Sequence, residues 1–289
     1  MDEARLAAQI RSIEEGRAYV EHGDVTLVAV SGADARAWLH DLVTTDVATL
    51  EPGESRPSLL LSPTGRIRAA FHVLSLGEHD LLLAQSHDQP RPVAELLSPY
   101  VLSAEVRIEV STRRRLFSLP GGERAPAWAG EAWRPSIDGP GLDLLIGGDE
   151  RERADVRRLL DGDGLRPVPS AAIEVRRIAM GVPRFPVDLD EASMPAEARL
   201  DEGPTIDLTK GCFLGQEAIA KVRNLGHPTR LTRGVTAEGP VVTGEAVTAD
   251  GREAGVVTSA HDRTAIVRIR WDARDARLST AAGTRLQGR

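Results

Sequence analysis

The sequence predicts an α+β protein that ends in a small β-barrel or sandwich. Three observations predict it. Before Lys210, short strand patterns step into one another through hairpin-like turns, with helices set among them rather than strictly alternating with them. After Glu217 the texture changes to short strands separated by Gly, Pro and Asp turns. Only 3% of the 289 residues are aromatic, so the cores must rest on Leu, Val, Ile and Ala, in a chain long enough for two or three domains.

Each element has a local reason. Leu6, Ile10 and Ile13 share one face of a helix from Glu3, with Gly16 as its stop. Val25–Val30 reads as a strand. Ser31-Gly32-Ala33-Asp34 then turns it into a helix whose inward side is Trp38, Leu39 and Leu42, with Ser31 or Asp34 as cap. Ser58–Leu61 and Arg66–Leu74 are strands joined by Ser62-Pro63-Thr64-Gly65, a Pro-x-Gly turn. Asp80–Ala84 is a third strand, and a helix covers Pro92–Leu97. Val106–Val110, Arg115–Leu119 and Gly141–Ile146 read as extended, around a turn-rich stretch from Gly121 to Trp133. Arg151–Leu160 and Ala171–Met180 are helices, the latter with Ser170 as its cap. The barrel strands are centred on Gly234–Thr236, Glu245–Val247, Gly255–Ser259 and Thr264–Ile269. A linker near Gly226-His227-Pro228 divides residues 1–227, two interleaved subdomains of which one spans roughly 25–110, from a barrel at 228–289.

Composition narrows the function classes. With 36 Lys and Arg against 43 Asp and Glu, the net charge is −7, which argues against direct nucleic-acid binding. The run Arg113-Arg114-Arg115 reads as a solvated face. One cysteine excludes internal disulfides and any thiolate-rich metal site built from this chain alone, and no metal site is expected. There is no apolar run of membrane-spanning length and no signal-like start, so no membrane association and a cytoplasmic location are expected.

That cysteine lies in the most informative stretch, Lys210-Gly211-Cys212-Phe213-Leu214-Gly215-Gln216-Glu217. Gly211 and Gly215 permit backbone angles that a Cβ forbids, so a tight turn delivers the thiol to a helix start. Two readings of Cys212 are open. It is either a reactive thiol tuned by Lys210 and a helix N-terminus, or a small buried hydrophobe. His72, on a strand, is either a group that titrates near neutral pH or, the favoured reading, a half-exposed histidine that is only surface.

The octapeptide resembles the signature of YgfZ-type, CAF17-like proteins, a branch of the aminomethyltransferase (glycine cleavage T-protein) superfamily. The resemblance covers nearly the whole chain. Arg177 to Gly181 with the acidic loop around Asp188 and Glu191 is similar to the superfamily's Arg-x-x-x-Gly stretch, and Met194-Pro195-Ala196-Glu197-Ala198 to its Pro-x-Glu-Ala element. Gly255-Val256-Val257-Thr258-Ser259 resembles a strand of its C-terminal barrel, and Ser31–Asp34 with Asp46-Val47 its N-terminal element. The resemblance implies a ring of α+β domains around a central hole, plus an antiparallel barrel, and a tetrahydrofolate-type ligand. It also implies iron–sulfur client or assembly proteins as partners, including enzymes that modify tRNA.

Within the superfamily, T-proteins place an Asp-Asp pair after a Gly-x-x hairpin to steer the amine. Here the matching hairpin, Thr64–Arg68, is followed by Ala69 and Ala70, so the resemblance implies no aminomethyltransferase reaction. Glu197 is then the candidate for the pterin edge, and Arg177, Arg223 and Arg230 for the ligand's anionic tail. Tryptophans that line the cavity in one branch are matched by Val25 and Ile173. Cys212 becomes the functional thiol, with Lys210 tuning it or holding a loop. The expected function is a folate-binding accessory factor of iron–sulfur cluster assembly or repair. The alternatives are a one-carbon transferase using Asp188 or Glu191, and a non-enzymatic interaction module.

Overall fold

The computed structural model describes residues 3–130 and 132–289 and divides into two compact units. The first comprises residues up to Leu59, Ala69–Ile173 and Thr209–Phe213. The second comprises Leu60–Arg68, Glu174–Leu208 and Leu214–Arg289.

In the first unit α1 (Glu3–Glu14) leads into β1 (Ala18–Glu21) and β2 (Val25–Ser31). Then come α2 (Ala35–His40), β3 (Ser55–Leu61), β4 (Ile67–Ser75) and β5 (Asp80–Ser86), the tip of the β3–β4 hairpin belonging to the second unit. After α3 (Val93–Leu97) come β6 (Arg107–Val110), β7 (Arg114–Pro120), β8 (Ala132–Trp133), β9 (Gly141–Gly147), α4 (Glu150–Gly162) and β10 (Arg166–Pro167). The strands form two sheets in the orders β10-β1-β7-β9-β8 and β3-β4-β5-β2-β6. Only the β1–β10 pair is parallel among the registers described. Aliphatic residues of both sheets build the core, where Leu27, Leu74 and Leu82 pack with Trp133.

The second unit holds α5 (Ser170–Met180), whose first turn belongs to the first unit, and α6 (Gln216–Leu225). Six strands complete it: β11 (Arg230–Ala237), β12 (Ala246–Ala249), β13 (Arg252–His261), β14 (Thr264–Arg270), β15 (Leu278–Thr280) and β16 (Arg285–Gly288). They close into an antiparallel barrel in the order β11-β14-β13-β12-β15-β16 around Leu231, Val235, Val247, Val257, Val267 and Ile269. Closure leaves no unpaired edge. Among the described residues no helix is long and apolar enough to cross a membrane.

The structure changes some local expectations. Asp34 precedes α2 but makes no side-chain cap; its Oδ2 accepts the Glu105 N–H at 2.8 Å instead. The closing strands β15 and β16 add to the four barrel strands legible in the sequence, and they are too short to show an alternation there. His72 is partly exposed, as its strand position suggests, but it does not titrate near neutral pH. Its Nδ1 is buried without a hydrogen-bond partner, and burial pushes the imidazole down to about 4 despite the nearby Asp138 charge, so it stays neutral at pH 7.

Candidate functional site

The first candidate centre is the corner Thr209–Phe213 in the first unit. Gly211 and Gly215 have φ of +89° and +84°, the left-handed region that a Cβ disfavours. A Cβ on Gly215 would also lie 2.5 Å from the Ser62 carbonyl oxygen. Lys210 is buried, and its Nζ donates to the carbonyls of His40, of Val43 at 2.6 Å and of Thr45 at 3.1 Å. Its ammonium also lies 5.5 Å from the centre of the Phe213 ring. An ammonium has three protons, and here three carbonyls at the end of α2 and in the loop after it receive them. Lys210 therefore acts as a loop-holding cation. Cys212 is exposed, which overturns its reading as a small buried hydrophobe.

The second centre lies in the second unit, on a 3-10 turn over Pro195–Ala198. Glu197 is only 2% exposed. Its Oε1 accepts the Met194 N–H at 3.2 Å, while Oε2 is buried with no hydrogen-bond partner among the described residues. Arg66 Nη1, which donates to the Ala192 carbonyl, stops 3.9 Å from Oε1. Burial pushes the Glu197 carboxyl above the usual carboxylate range, against the opposing pull of the Met194 N–H and of Arg230 and Arg66. The result is a sealed carboxyl with one oxygen unused and two guanidiniums in its field. Such a group suits a ligand edge that offers N–H donors.

The basic residues named from sequence fare differently. Arg230 is half-exposed, with its Nη1 4.0 Å from Asp190, whose Oδ2 accepts a 2.6 Å bond from Arg268. Arg223 is an exposed residue in the last turn of α6. Arg177 is committed to the protein itself. Its guanidinium donates to both oxygens of Glu174 at 2.9 and 2.7 Å, to Asp188 Oδ2 at 2.6 Å, to Ser259 Oγ at 2.9 Å and to the Val182 carbonyl. Asp188 is fully buried and also accepts from the hydroxyls of Thr258 and Ser259 and from the Arg184 N–H. With its lone pairs occupied, Asp188 has no capacity left for a reacting proton. Glu191 is an exposed partner of Arg68 at 3.5 Å.

After the Thr64–Arg68 hairpin, Ala69 is buried and the Ala70 main chain is clipped by one amide. Gln89 Oε1 accepts the Ala70 N–H at 3.0 Å and its Nε2 donates to the Ala70 carbonyl at 2.5 Å. Two residues escape a reading of the sequence. Arg66 reaches Glu197, and its only hint is its place beside the Pro-x-Gly turn. Gln89 has no signal at all, because an amide bridging a strand nineteen residues away leaves no periodic trace. No group of three or more His, Cys, Asp or Glu side chains suited to a metal occurs among the described residues.

No family-level sequence profile matches the chain. Individual relatives do. It is 26% identical over 273 residues to a chloroplastic protein of Arabidopsis thaliana named as a transferase, covering 86% of this chain and 62% of that one. It is 29% identical over 240 residues to a mitochondrial iron–sulfur cluster assembly factor IBA57 homolog of Cryptococcus neoformans, covering 72% and 63%. The chain thus spans a little under two thirds of these relatives' length. The crystal structure of the glycine cleavage system aminomethyltransferase T from Bartonella henselae superposes with a TM-score of 0.79 at 19% identity, over 96% of this chain and 87% of that one. The chain has a T-protein-like fold. Within that fold this chain has Ala69 and Ala70 after the Thr64–Arg68 hairpin, a closed six-stranded barrel, and Glu197 on a 3-10 turn.

Proposed function

We propose that this protein is a folate-binding accessory factor of iron–sulfur cluster assembly or repair, without the aminomethyltransferase reaction. One observation carries the reading: the only thiol of the chain is held out to solvent by a glycine-flanked corner whose lysine is locked onto three carbonyls. The likeness to the Cryptococcus assembly factor supports it. A single exposed thiolate can contribute one ligand to a cluster shared with a partner, or form a transient mixed disulfide. Iron–sulfur proteins, among them tRNA-modifying enzymes, are the proposed clients, and the cytoplasm is the proposed location.

Folate is the proposed ligand because a buried carboxyl oxygen without a partner is costly unless a ligand or ordered water completes it. Glu197 would hold the pterin's N–H edge, and Arg230 or Arg223 its carboxylate tail. Arg177 is the weakest of the tail candidates, since its donors already have acceptors. The aminomethyl-transfer alternative is disfavoured by the methyl groups of Ala69 and Ala70 and by the saturation of Asp188.

Thermal unfolding with and without tetrahydrofolate tests the ligand. We expect a concentration-dependent rise in Tm that Glu197→Gln reduces, because a ligand selective for the native state must stabilise it. Iron–sulfur enzyme activity in cells lacking the protein tests the thiol. Cys212→Ala should fail to restore it while folding normally. Full rescue by Cys212→Ala would defeat the thiol reading, and release of 5,10-methylenetetrahydrofolate from an aminomethyl donor would establish the transferase instead.

A further inference from the structure

Strand β6 closes one side of its sheet, pairing with β2 and, among the described residues, with no strand beyond it. The Ser111 N–H donates to the Leu27 carbonyl at 2.8 Å, which fixes the ladder's parity: Arg107, Glu109 and Ser111 turn their main-chain groups toward β2. Ile108 and Val110 therefore aim theirs outward, and among the described residues neither main chain has a partner there. The edge is also uncovered. Arg107 is 75% exposed, Glu109 69% and Val110 54%. Leu102, in the loop leading to it, is 87% exposed, more than any other large apolar side chain described.

We infer that this edge is a docking surface for a second copy of the chain, joined antiparallel across a two-fold axis at Ile108. The sequence Val106-Arg107-Ile108-Glu109-Val110 is self-complementary when reversed. With Ile108 opposite its own copy, Val106 faces Val110 and Arg107 faces Glu109, twice by symmetry. The parity agrees, since Ile108 and Val110 are the residues with outward main-chain groups. Each Ile108 exchanges both its bonds with its mate, and each Val110 N–H donates to the mate's Val106 carbonyl. The Val106 N–H is already bonded to Ala104, so the seam holds four main-chain bonds. The Arg107–Glu109 pairs fall at non-hydrogen-bonded positions, where side chains approach most closely. Arg107 Nε and Glu109 Oε1 already lie 3.7 Å apart within one strand, so both project from one face. A shift of the seam by two residues in either direction sets Arg107 against Arg107 or Glu109 against Glu109. Charge thus selects one register, and two five-stranded sheets become one continuous sheet.

Sedimentation equilibrium of the full chain over a wide concentration range tests this. A reversible monomer–dimer equilibrium that weakens with added salt is expected. Either Arg107→Glu or Glu109→Arg alone places two like-charge pairs across the seam and should weaken the dimer about tenfold or more. The double variant Arg107→Glu/Glu109→Arg recreates both pairs in reverse and should restore it. Circular dichroism and Tm control for folding, which such exposed positions leave intact. A protein that stays monomeric throughout would show that the two charges only keep other strands away. That outcome, or a dimer indifferent to the swaps, overturns the proposal.

Discussion

Three main-chain carbonyls, from the end of α2 and the loop after it, meet at the Lys210 ammonium, and the residues that supply them lie about 170 positions upstream. Replacing that ammonium with an apolar side chain of similar length leaves all three oxygens without a donor in a buried place. Lys210→Met should lower stability by about 2–3 kcal/mol, roughly one kcal/mol per orphaned carbonyl, as chemical denaturation can measure. An unchanged unfolding midpoint would mean that water reaches the loop and Lys210 is dispensable. At the same scale Glu197 joins two duties in one carboxyl, capping the Met194 N–H with one oxygen and keeping the other unused. Sequence places Glu197 in a motif. That its free oxygen is buried is a fact of tertiary packing, which the motif does not announce.

Among the elements, α5 and barrel strand β13 are joined by one polar knot. The β13–β14 register shifts between Val257 and Ser259, and that irregularity lets the hydroxyls of both Thr258 and Ser259 reach Asp188. Arg177 completes the knot with a planar fork that a lysine cannot reproduce. Arg177→Lys should cost about 1–3 kcal/mol, read as a lower urea midpoint with an unchanged m-value. An m-value change would point instead to an altered native state. Both ends of this knot are legible as motifs, Arg-x-x-x-Gly and Gly-x-Val-Thr-Ser. That they bind each other is not, because Arg177 and Ser259 are 82 residues apart and each motif is complete without the other.

For the whole molecule the strongest pH lever is a buried cluster in the first unit. His22 Nε2 lies 2.7 Å from Ser118 Oγ and 3.3 Å from Asp138, with Nδ1 3.6 Å from Asp24. Asp143 completes it, accepting from the hydroxyls of Ser118 and Ser136. Burial alone would depress the imidazole, but the Asp138 and Asp24 carboxylates outweigh it and lift His22 from 6.5 to about 10. A raised folded-state value means that its contribution is fully present below pH 6.5 and is lost as pH climbs toward 10. His72 has the opposite sign. Held near 4, it stays neutral while the unfolded chain takes up a proton below 6.5, so stability falls on that side. Burial raises Asp143 to about 6, which offsets part of that acid loss. The Tm profile should therefore decline on the alkaline side, and His22→Gln should flatten that decline between pH 6.5 and 10. An equally steep alkaline decline in His22→Gln would remove His22 as its cause.

By itself the sequence determined the features that neighbours along the chain impose on one another. Hydrophobic alternation marked most strands before β15, Pro-x-Gly and glycine corners marked the turns, and the shift in texture after Glu217 marked the barrel. The alanines after the Thr64–Arg68 hairpin were equally plain, since an absent carboxylate is a matter of composition at one place. Tertiary structure decided which polar groups end up with partners. Arg177 and Lys210 read alike as basic residues in motifs, yet one ties a helix to the barrel and the other holds a loop. His72 reads as half-exposed and is, yet its Nδ1 is sealed from water, and Cys212 could have been core and is exposed. The physical reason is common to all four. Hydrogen bonding and desolvation depend on groups brought together from distant parts of the chain, and periodicity carries no record of them.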